Sequence, residues 1–493
     1  LKDAGGYDQK LPSVSVENGR FRVDPEHTAS PHFCPPFSAA VVEAKQKYQE
    51  LKQELREENK RGVKRAHIEK EASLIRDFDV DMYVQVRNKF KGYNYMKSTL
   101  YRHRNFIYPT VQSLEELNHF PELKLTHEGR NLPRENQENS ENYTIYQQNN
   151  PPLLILASRL DLDSLAQSRD WIADGNFDFQ PKSFQQIYTI HGFVNGIAFP
   201  LVHILAADKT EQAYTQAFTV IKDTLNNRGL VIEVTKIHTD FENAAINAFK
   251  AVFPNVQMIG CMFHYTQCVW RNVQQHGLAA VYEQSETRGY NTPEYAGVRI
   301  WIRRLMSIAH LPPNNVRYAW DHLVENILLN PGDLQIQENL RAFATYFQQQ
   351  WVRNQEKIDL FNQYHSGSLR TTNHAEGYHR MLQESLIRRH STIGFFLTEF
   401  QLHHHSIQCD IRRAQCGEEV REAARPQWVM NDRRLHERKQ RYWEDLQAHQ
   451  RNVEDGPDPA QDQNEDAFLG RMHRQFCQMI VQFLDHVAYF VGY

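Results

Sequence analysis

A chain of 493 residues is too long for one ordinary hydrophobic core, so two or three domains are expected. Hydrophobic residues at 41% and charged residues at 24% exclude a disordered or low-complexity protein, and no apolar run approaches the roughly 18 residues of a membrane span. The formal net charge of −4 removes bulk basicity as an argument for nucleic acid, so any DNA contact has to come from local basic patches.

The cysteines at 34, 261, 268, 409, 416 and 477 lack the short, even spacing of a secreted disulfide framework, which points to a reducing compartment. The chain opens at Leu1 without a signal-peptide pattern, and a fragment of a longer protein is the expectation. Residues 1–37 read as irregular, with short strands at 14–16 and 21–23. Residues 38–108 then read as a helical module, with helices over 39–58, 63–78 and 81–101.

Within that module the segment 87–104 carries Arg87, Lys89, Lys91, Lys97, Arg102 and Arg104 and no acid. Phe90, Tyr93, Tyr95 and Tyr101 are interleaved with them. Cationic side chains neutralise phosphates and aromatic rings stack, so this is the candidate DNA-binding surface. The competing reading is a solvated helix whose aromatic residues face a core.

Residues 109–152 are read as a linker, with an exposed hairpin as the alternative over 130–152, which is rich in Asn, Gln and Glu and ends in Pro151–Pro152. Segment 153–264 follows with three strands (171–179, 186–194, 197–206), a helix (211–226), a strand (231–239), a helix (243–253) and a strand (256–261). That order predicts an α/β fold on a mixed sheet. Residues 265–365 read as all-helical, with segments beginning near 263, 296, 315 and 334. Segment 366–425 holds a helix through Glu376 and long helices from 394 on. Residues 426–493 read as a polar linker with an amphipathic final helix at 467–492.

Three acids draw attention. Asp174 lies mid-strand in Trp171-Ile-Ala-Asp-Gly-Asn-Phe, where a charge is unfavourable unless exposed or paired. Asp240 ends another strand in Lys236-Ile-His-Thr-Asp-Phe-Glu, and Glu376 opens a helix in Thr371-Thr-Asn-His-Ala-Glu-Gly-Tyr-His. Two aspartates at the ends of neighbouring strands and a third carboxylate suit a pair of Mg²⁺ (or Mn²⁺) ions about 3.5–4 Å apart. On spacing alone the bland reading stands beside it: Asp240 as the cap of the next helix and Asp174 in a turn with Gly175.

Further motifs lie along the same region: Asp174-Gly-Asn-Phe, Tyr188-Thr-Ile-His-Gly, Phe199-Pro-Leu-Val, Lys209-Thr-Glu-Gln-Ala-Tyr, His238-Thr-Asp-Phe-Glu-Asn-Ala-Ala, Phe253-Pro and Gly260-Cys-Met-Phe-His-Tyr. In these residues and their order, 171–278 resembles the transposase domain of the Mutator-like (MULE) family, and within it the Phantom branch. Thr372-Asn-His-Ala-Glu-Gly-Tyr-His-Arg resembles the family's downstream glutamate segment.

The resemblance implies an RNase H-like catalytic core with an Asp-Asp-Glu triad, Asp174, Asp240 and Glu376, interrupted by an all-helical insertion before the glutamate. The intervals of 66 and 136 residues between the three acids leave room for that insertion. It implies metal-dependent cleavage of double-stranded DNA at terminal inverted repeats and joining of the 3′ ends to target DNA; the alternatives are a domesticated, non-catalytic DNA-binding regulator of transcription and an RNase H-type structure-selective nuclease. Two ions, a dimer or higher synaptic complex held partly through the final helix, no membrane partner and a nuclear location complete the expectation.

The Cys261-x-x-His264 pair matches a family motif too. A structural zinc site needs four ligands and only Cys268 and His276 lie close by to complete one; zinc is read as absent, and DNA-end positioning or a buried structural pair are the readings kept. Arg271 and Arg380 are candidate phosphate contacts, and Trp320 is a candidate to stack on a base at the cut end. His403-His404-His405 reads as a solvated helix face, since successive helical residues point in different directions.

Overall fold

The computed structural model describes residues 16–17, 20–21, 38–57, 63–105, 111–131, 140–287, 293–328, 334–367, 369–386, 390–420, 426–454 and 465–488. The chain divides into two compact units, Leu1–Tyr108 and Pro109–Tyr493.

In the first unit, β1 (Val16–Glu17) pairs antiparallel with β2 (Arg20–Phe21). Four helices follow: α1 (Ala39–Glu57), α2 (Val63–Asp77), α3 (Val80–Lys89) and α4 (Tyr93–Asn105). Tyr48, Leu51 and Leu55 on α1 recur at helical spacing and close a core with Leu74, Val86, Phe90 and Leu100. The helix expected over 81–101 is two, because Phe90 adopts an extended backbone and Gly92 follows in the break. The break is tied down by the Lys91 carbonyl, which accepts from the Tyr48 hydroxyl and lies 3.0 Å from His67 Nε2.

The second unit begins with residues expected to be a linker, and of that reading the alternative holds, since Thr144–Gln148 pairs antiparallel with Leu153–Leu156 as a hairpin. They form α5 (Leu114–Leu117), a 3₁₀ turn (Pro121–Lys124), α6 (His127–Arg130) and β3 (Thr144–Gln148). Val111, Leu114, Leu117, Leu123 and Tyr143 are buried in the main core. The polar composition misleads because β3 is the edge strand of the sheet and most of its residues are only half-buried.

Along the chain come β4 (Leu153–Leu156), α7 (Arg159–Gln167), β5 (Asp170–Asn176), β6 (Gln186–Val194), β7 (Ile197–Ala206), α8 (Glu211–Asn227), β8 (Lys236–Thr239), α9 (Asn243–Val252) and β9 (Gln257–Gly260). The seven strands form one mixed sheet in the order β3-β4-β7-β6-β5-β8-β9. β5, β8 and β9 run parallel, and the remaining pairs are antiparallel. This is the expected α/β class, with β8 shorter than its predicted strand. On one side α8 and α9 pack together, with Phe218 stacked on Phe249 at 3.7 Å between ring centroids. Tyr188 and Trp171 point to that side, toward Tyr214 and Phe253.

The helical remainder is α10 (Met262–Gln275), α11 (Ala279–Thr287), α12 (Pro293–Ser307), α13 (Pro313–Leu328), α14 (Leu334–Phe347) with a π turn at Gln348–Val352, α15 (Gln355–Phe361), α16 (Asn373–Ser385), α17 (Ile393–Gln415), α18 (Pro426–Glu454) and α19 (Glu465–Ala488). Helices α16 and α17 return to the sheet, where Tyr378, Phe396 and Phe400 join the main core. Helices α10 to α15 build a second core around Tyr265, Trp301, Trp320, Phe343 and Phe361.

That second core also takes in residues 426–493, read from sequence as a polar linker and a candidate oligomer interface. Leu435, Tyr442 and Leu446 of α18 and Ile480, Phe483, Leu484 and Val487 of α19 are buried in it. The apolar face of the final helix is therefore spent inside the chain. No helix among the described residues is long and apolar enough to cross a membrane.

Candidate active site

Asp174 and Asp240 are brought together by strand pairing. β5 and β8 are parallel neighbours with Ala173 opposite Thr239, so the next residues, Asp174 and Asp240, stand side by side at the same end of the sheet. Neighbouring strands lie about 4.8 Å apart, which sets the scale of their separation. Asp174 is buried at 7% exposure, and its Oδ1 accepts from the Gly175 N–H at 3.0 Å. Asp240 Oδ1 accepts from the Glu242 N–H at 3.2 Å, and the residue at the cap of α9 is Glu242, so Asp240 is not the helix cap of the bland reading.

Helix α16 brings Glu376 to the same place. Ala375, one residue earlier, is fully buried in a small cluster with Ile172 of β5 and Ala198 of β7, and that contact seats the first turn of the helix on the sheet. Thr372, just before the helix, anchors it from the other side. Its N–H and hydroxyl lie 3.3 and 3.4 Å from the Cys261 sulfur. One turn after Glu376, His379 Nδ1 lies 3.7 Å from Asp174 Oδ2. Burial holds that imidazole down at about 4, so it is neutral and the contact is not an ion pair.

The electrostatics report a crowd of acids. The Asp174 carboxyl is pushed up to about 7, by burial first, then by the charge of Asp240 and to a lesser degree that of Glu376. His264 opposes them. Burial works against its charge, yet its hydrogen bond to Cys261 and the charges of Cys261, Asp174 and Asp240 hold it up at about 9. Burial also pushes the Cys261 thiol up, and the hydrogen bonds from His264 and Thr372 outweigh it and leave the thiol below its ordinary range.

Around this centre, the Tyr188 hydroxyl lies 3.3 Å from Thr239 Oγ1, and the Tyr214 hydroxyl donates to the Glu242 carboxylate at 3.0 Å. Gly260, at the end of β9, leaves room for Phe241, whose Cζ lies 2.5 Å from where a Cβ would be. His379, Thr372 and Glu242 escaped the sequence reading. The i, i+3 spacing of Glu376 and His379 on one helix was the signal available for the first of them.

Among the described residues, no three His, Cys, Asp or Glu side chains are already spaced to hold one ion. In chemistry carboxylate oxygens suit a hard divalent cation, and the charges of Asp240 and, less, Glu376 both act to raise the Asp174 carboxyl.

The other candidates fall into three groups. Cys261 is buried at 2% exposure and engaged with Thr372, so it is a structural residue and cannot itself touch DNA. Trp320 is likewise no base-stacking platform: it is 3% exposed and stacked on Phe347 at 5.0 Å in the second core. His404 is not on a solvated face, because it is buried with its Nε2 2.9 Å from Asp161 Oδ2. Arg271 and Arg380 are exposed.

In the N-terminal unit, Arg87 is paired with Glu71, while Lys89, Lys91 and Lys97 are exposed and Lys91 lies 4.0 Å over the Tyr95 ring. Phe90 belongs to the core, as the bland reading had it. The side chains of Arg102 and Arg104 lie outside the described residues.

Comparison with known proteins places residues 171–268 in the family described as the MULE transposase domain. The matched span holds Asp174, Asp240 and the Cys261–His264 pair and ends before Glu376. No curated protein matches the chain. A Mutator-like transposase domain is thus shown by a comparison independent of the motif reading, at the level of the domain and not of the Phantom branch.

Proposed function

We propose that this domain is catalytic: a transposase with an RNase H-like core that cleaves double-stranded DNA at the terminal inverted repeats of a mobile element and joins the 3′ ends to target DNA. The observation that carries the reading is the meeting of Asp174 and Asp240 on adjacent parallel strands beneath the helix that bears Glu376. Nothing in a purely structural role requires a mid-strand aspartate at 7% exposure with two carboxylates for neighbours.

Two divalent ions, Mg²⁺ or Mn²⁺, bound by Asp174, Asp240 and Glu376 would supply Lewis acidity at the phosphorus and a nucleophilic oxygen at neutral pH. The remaining roles belong to the protein. The paired strands fix the two aspartates, and closure of side-chain rotamers brings Glu376 to them. Neutral His379 limits the orientations open to Asp174. Charged His264 faces the acids from α10 and is positioned to receive a phosphate oxygen of the DNA end.

Arg271, Arg380 and the exposed lysines of the N-terminal unit add sequence-independent phosphate contacts. A homodimer or larger synaptic complex, to hold two ends, and a nuclear location follow from that chemistry.

The test is incubation of the purified chain with Mg²⁺ or Mn²⁺ and labelled DNA carrying the element's end. Cleavage and joining are expected for the native chain and should be lost in Asp174→Ala, Asp240→Ala and Glu376→Ala, each still folded and still binding DNA. Cleavage retained by any of the three sinks the triad. A second reading, a domesticated DNA-binding descendant without chemistry, draws support from the lack of a ready-spaced three-ligand group among the described residues. Binding without metal-dependent cutting is its signature.

A further inference from the structure

A cavity of about 280 Å³ lies between α18 and the segment that leads into α16, away from the carboxylates. Among the described residues, Arg370, Arg433, His436 and Lys439 line it, against one acid, Asp432. We propose that this cavity is a second phosphate-binding site, one that holds a backbone phosphate of the DNA bound at the carboxylates. The inference rests on the DNA-processing reading above.

Four features support it. Lys439 is buried at 8% exposure, an unusual place for an ammonium, and its Nζ is held by the carbonyls of Gln363, Tyr364 at 3.0 Å and Ser366 at 3.4 Å. Those three carbonyls take up the ammonium's three N–H donors, so Lys439 acts on an anion in the cavity through its charge and not through a hydrogen bond. Burial, and then the charge of Arg370, hold Lys439 down at about 7, so an anion in the cavity would restore a proton to it.

Second, the charges around the amine sum in the anion's favour. Arg370 is paired with Asp432 and Arg433 with Glu437 at 2.9 Å, while His310, behind Lys439, is kept neutral by burial and by the two cations. Among the described residues of the cavity wall, no second carboxylate stands against Lys439. Third, Arg433 is a fork-shaped donor at 81% side-chain exposure and can reach outward to a diester at low cost.

Fourth, the location is right. The Arg370 carbonyl accepts from the Met262 N–H at 2.8 Å, which ties the pocket to the Cys261–His264 turn. Arg370 precedes Glu376 by six residues, at most about 20 Å of chain. That span corresponds to about six base steps of 3.4 Å, so one short duplex can reach both places.

The experiment uses the full chain, a 20-base-pair fluorescein-labelled duplex of arbitrary sequence and anisotropy titrations from ~50 to ~300 mM KCl at pH 6 and pH 8. Arg433→Gln, on the surface, should reduce the slope of log affinity against log salt by about 0.9, the share of one phosphate. Between pH 8 and pH 6 an amine titrating at about 7 goes from roughly one-tenth to nine-tenths charged. The pH 6 to pH 8 affinity ratio should therefore be about tenfold smaller in Lys439→Met than in the native chain. Lys439→Arg, charged throughout, should lose the same tenfold share of the pH ratio that Lys439→Met loses.

Unchanged slope in folded Arg433→Gln together with an unchanged pH ratio in Lys439→Met overturns the proposal, as does native chain that fails to bind the duplex. Inorganic phosphate, at ionic strength matched with chloride, separates the sources. If it abolishes the Lys439-dependent pH effect while Arg433→Gln keeps the native slope, the pocket takes free phosphate and the DNA assignment falls. Cleavage of end-containing DNA is scored separately. Changed slopes without cleavage leave this site standing and remove the catalytic reading, and cleavage with unchanged slopes does the reverse.

Discussion

If Asp174 is a metal ligand waiting among like charges, replacing it should make the metal-free protein more stable. Its carboxyl titrates at about 7 in the folded chain against an ordinary 3.8. A raised acid binds its proton more tightly folded than unfolded, so stability falls as pH climbs from 3.8 and the loss is complete above 7. At 1.36 kcal/mol per unit that is on the order of 4 kcal/mol at pH 8, an upper figure because Asp240 shares the titration.

Asp174→Asn removes the charge and keeps an oxygen for the Gly175 N–H. With an unfolding entropy of about 2.1 cal/mol/K per residue over the second unit, the full effect raises Tm by ~5 °C. Calorimetry in EDTA should show that gap at pH 8 and less than half of it at pH 5. Addition of Mg²⁺ should stabilise the native chain and leave the variant unmoved. A variant less stable than native at pH 8, or a gap that ignores pH, would refute the account of Asp174 as a destabilised ligand.

Three further outcomes follow from packing. Phe483→Ala opens the second core and should cost about 3–5 kcal/mol in denaturant unfolding, with the oligomer mass by light scattering unchanged; a changed mass at native stability would return α19 to the interface. Asp161→Ala strands the buried His404 and the Ser158 N–H, which donates to Asp161 at 2.7 Å, and should cost about 3–5 kcal/mol; a loss under 1 kcal/mol would mean the pair is not intact. Gly260→Ala drives a Cβ toward Phe241 and the Leu360 carbonyl 3.2 Å away and should cost about 1–3 kcal/mol, partly restored by Phe241→Leu in the same chain; additive effects in the double variant would contradict the contact.

The sheet was legible because its strands announce themselves. Residues 186–194 and 197–206 are almost wholly buried and rich in Ile, Val, Leu and aromatic residues, and the structure ends them where the pattern does. α18 was not legible as core. Its buried positions Leu435, Lys439, Tyr442 and Leu446 follow helical spacing, but one of the four is a lysine and the rest of the helix is polar, so average composition hid the stripe. For the site, the strand pattern drew attention to the two aspartates but left the bland reading open, and it was the family resemblance that named them. His379 and Thr372 could not be named, since their roles depend on which face α16 turns to the sheet, and Ala375 settles that through a contact with Ile172, 203 positions earlier.

The same dependence explains why the helical segment interrupts the sheet where it does. β9 ends at Gly260, and within four residues the chain has supplied Cys261 to anchor α16 and His264 to face the acids, before continuing as the first helix of the second core. Phe241, next to Asp240, packs edge-on against Trp351 of that core at 5.2 Å, and Gln363 Nε2, as the chain leaves it, donates to the Gly260 carbonyl at 2.7 Å. Asp240 and His264 are thus built on residues that belong at once to the sheet and to the helical core. A shift of those helices by DNA would act on the carboxylate pair through Phe241 and Gly260, where the packing leaves no room for slack.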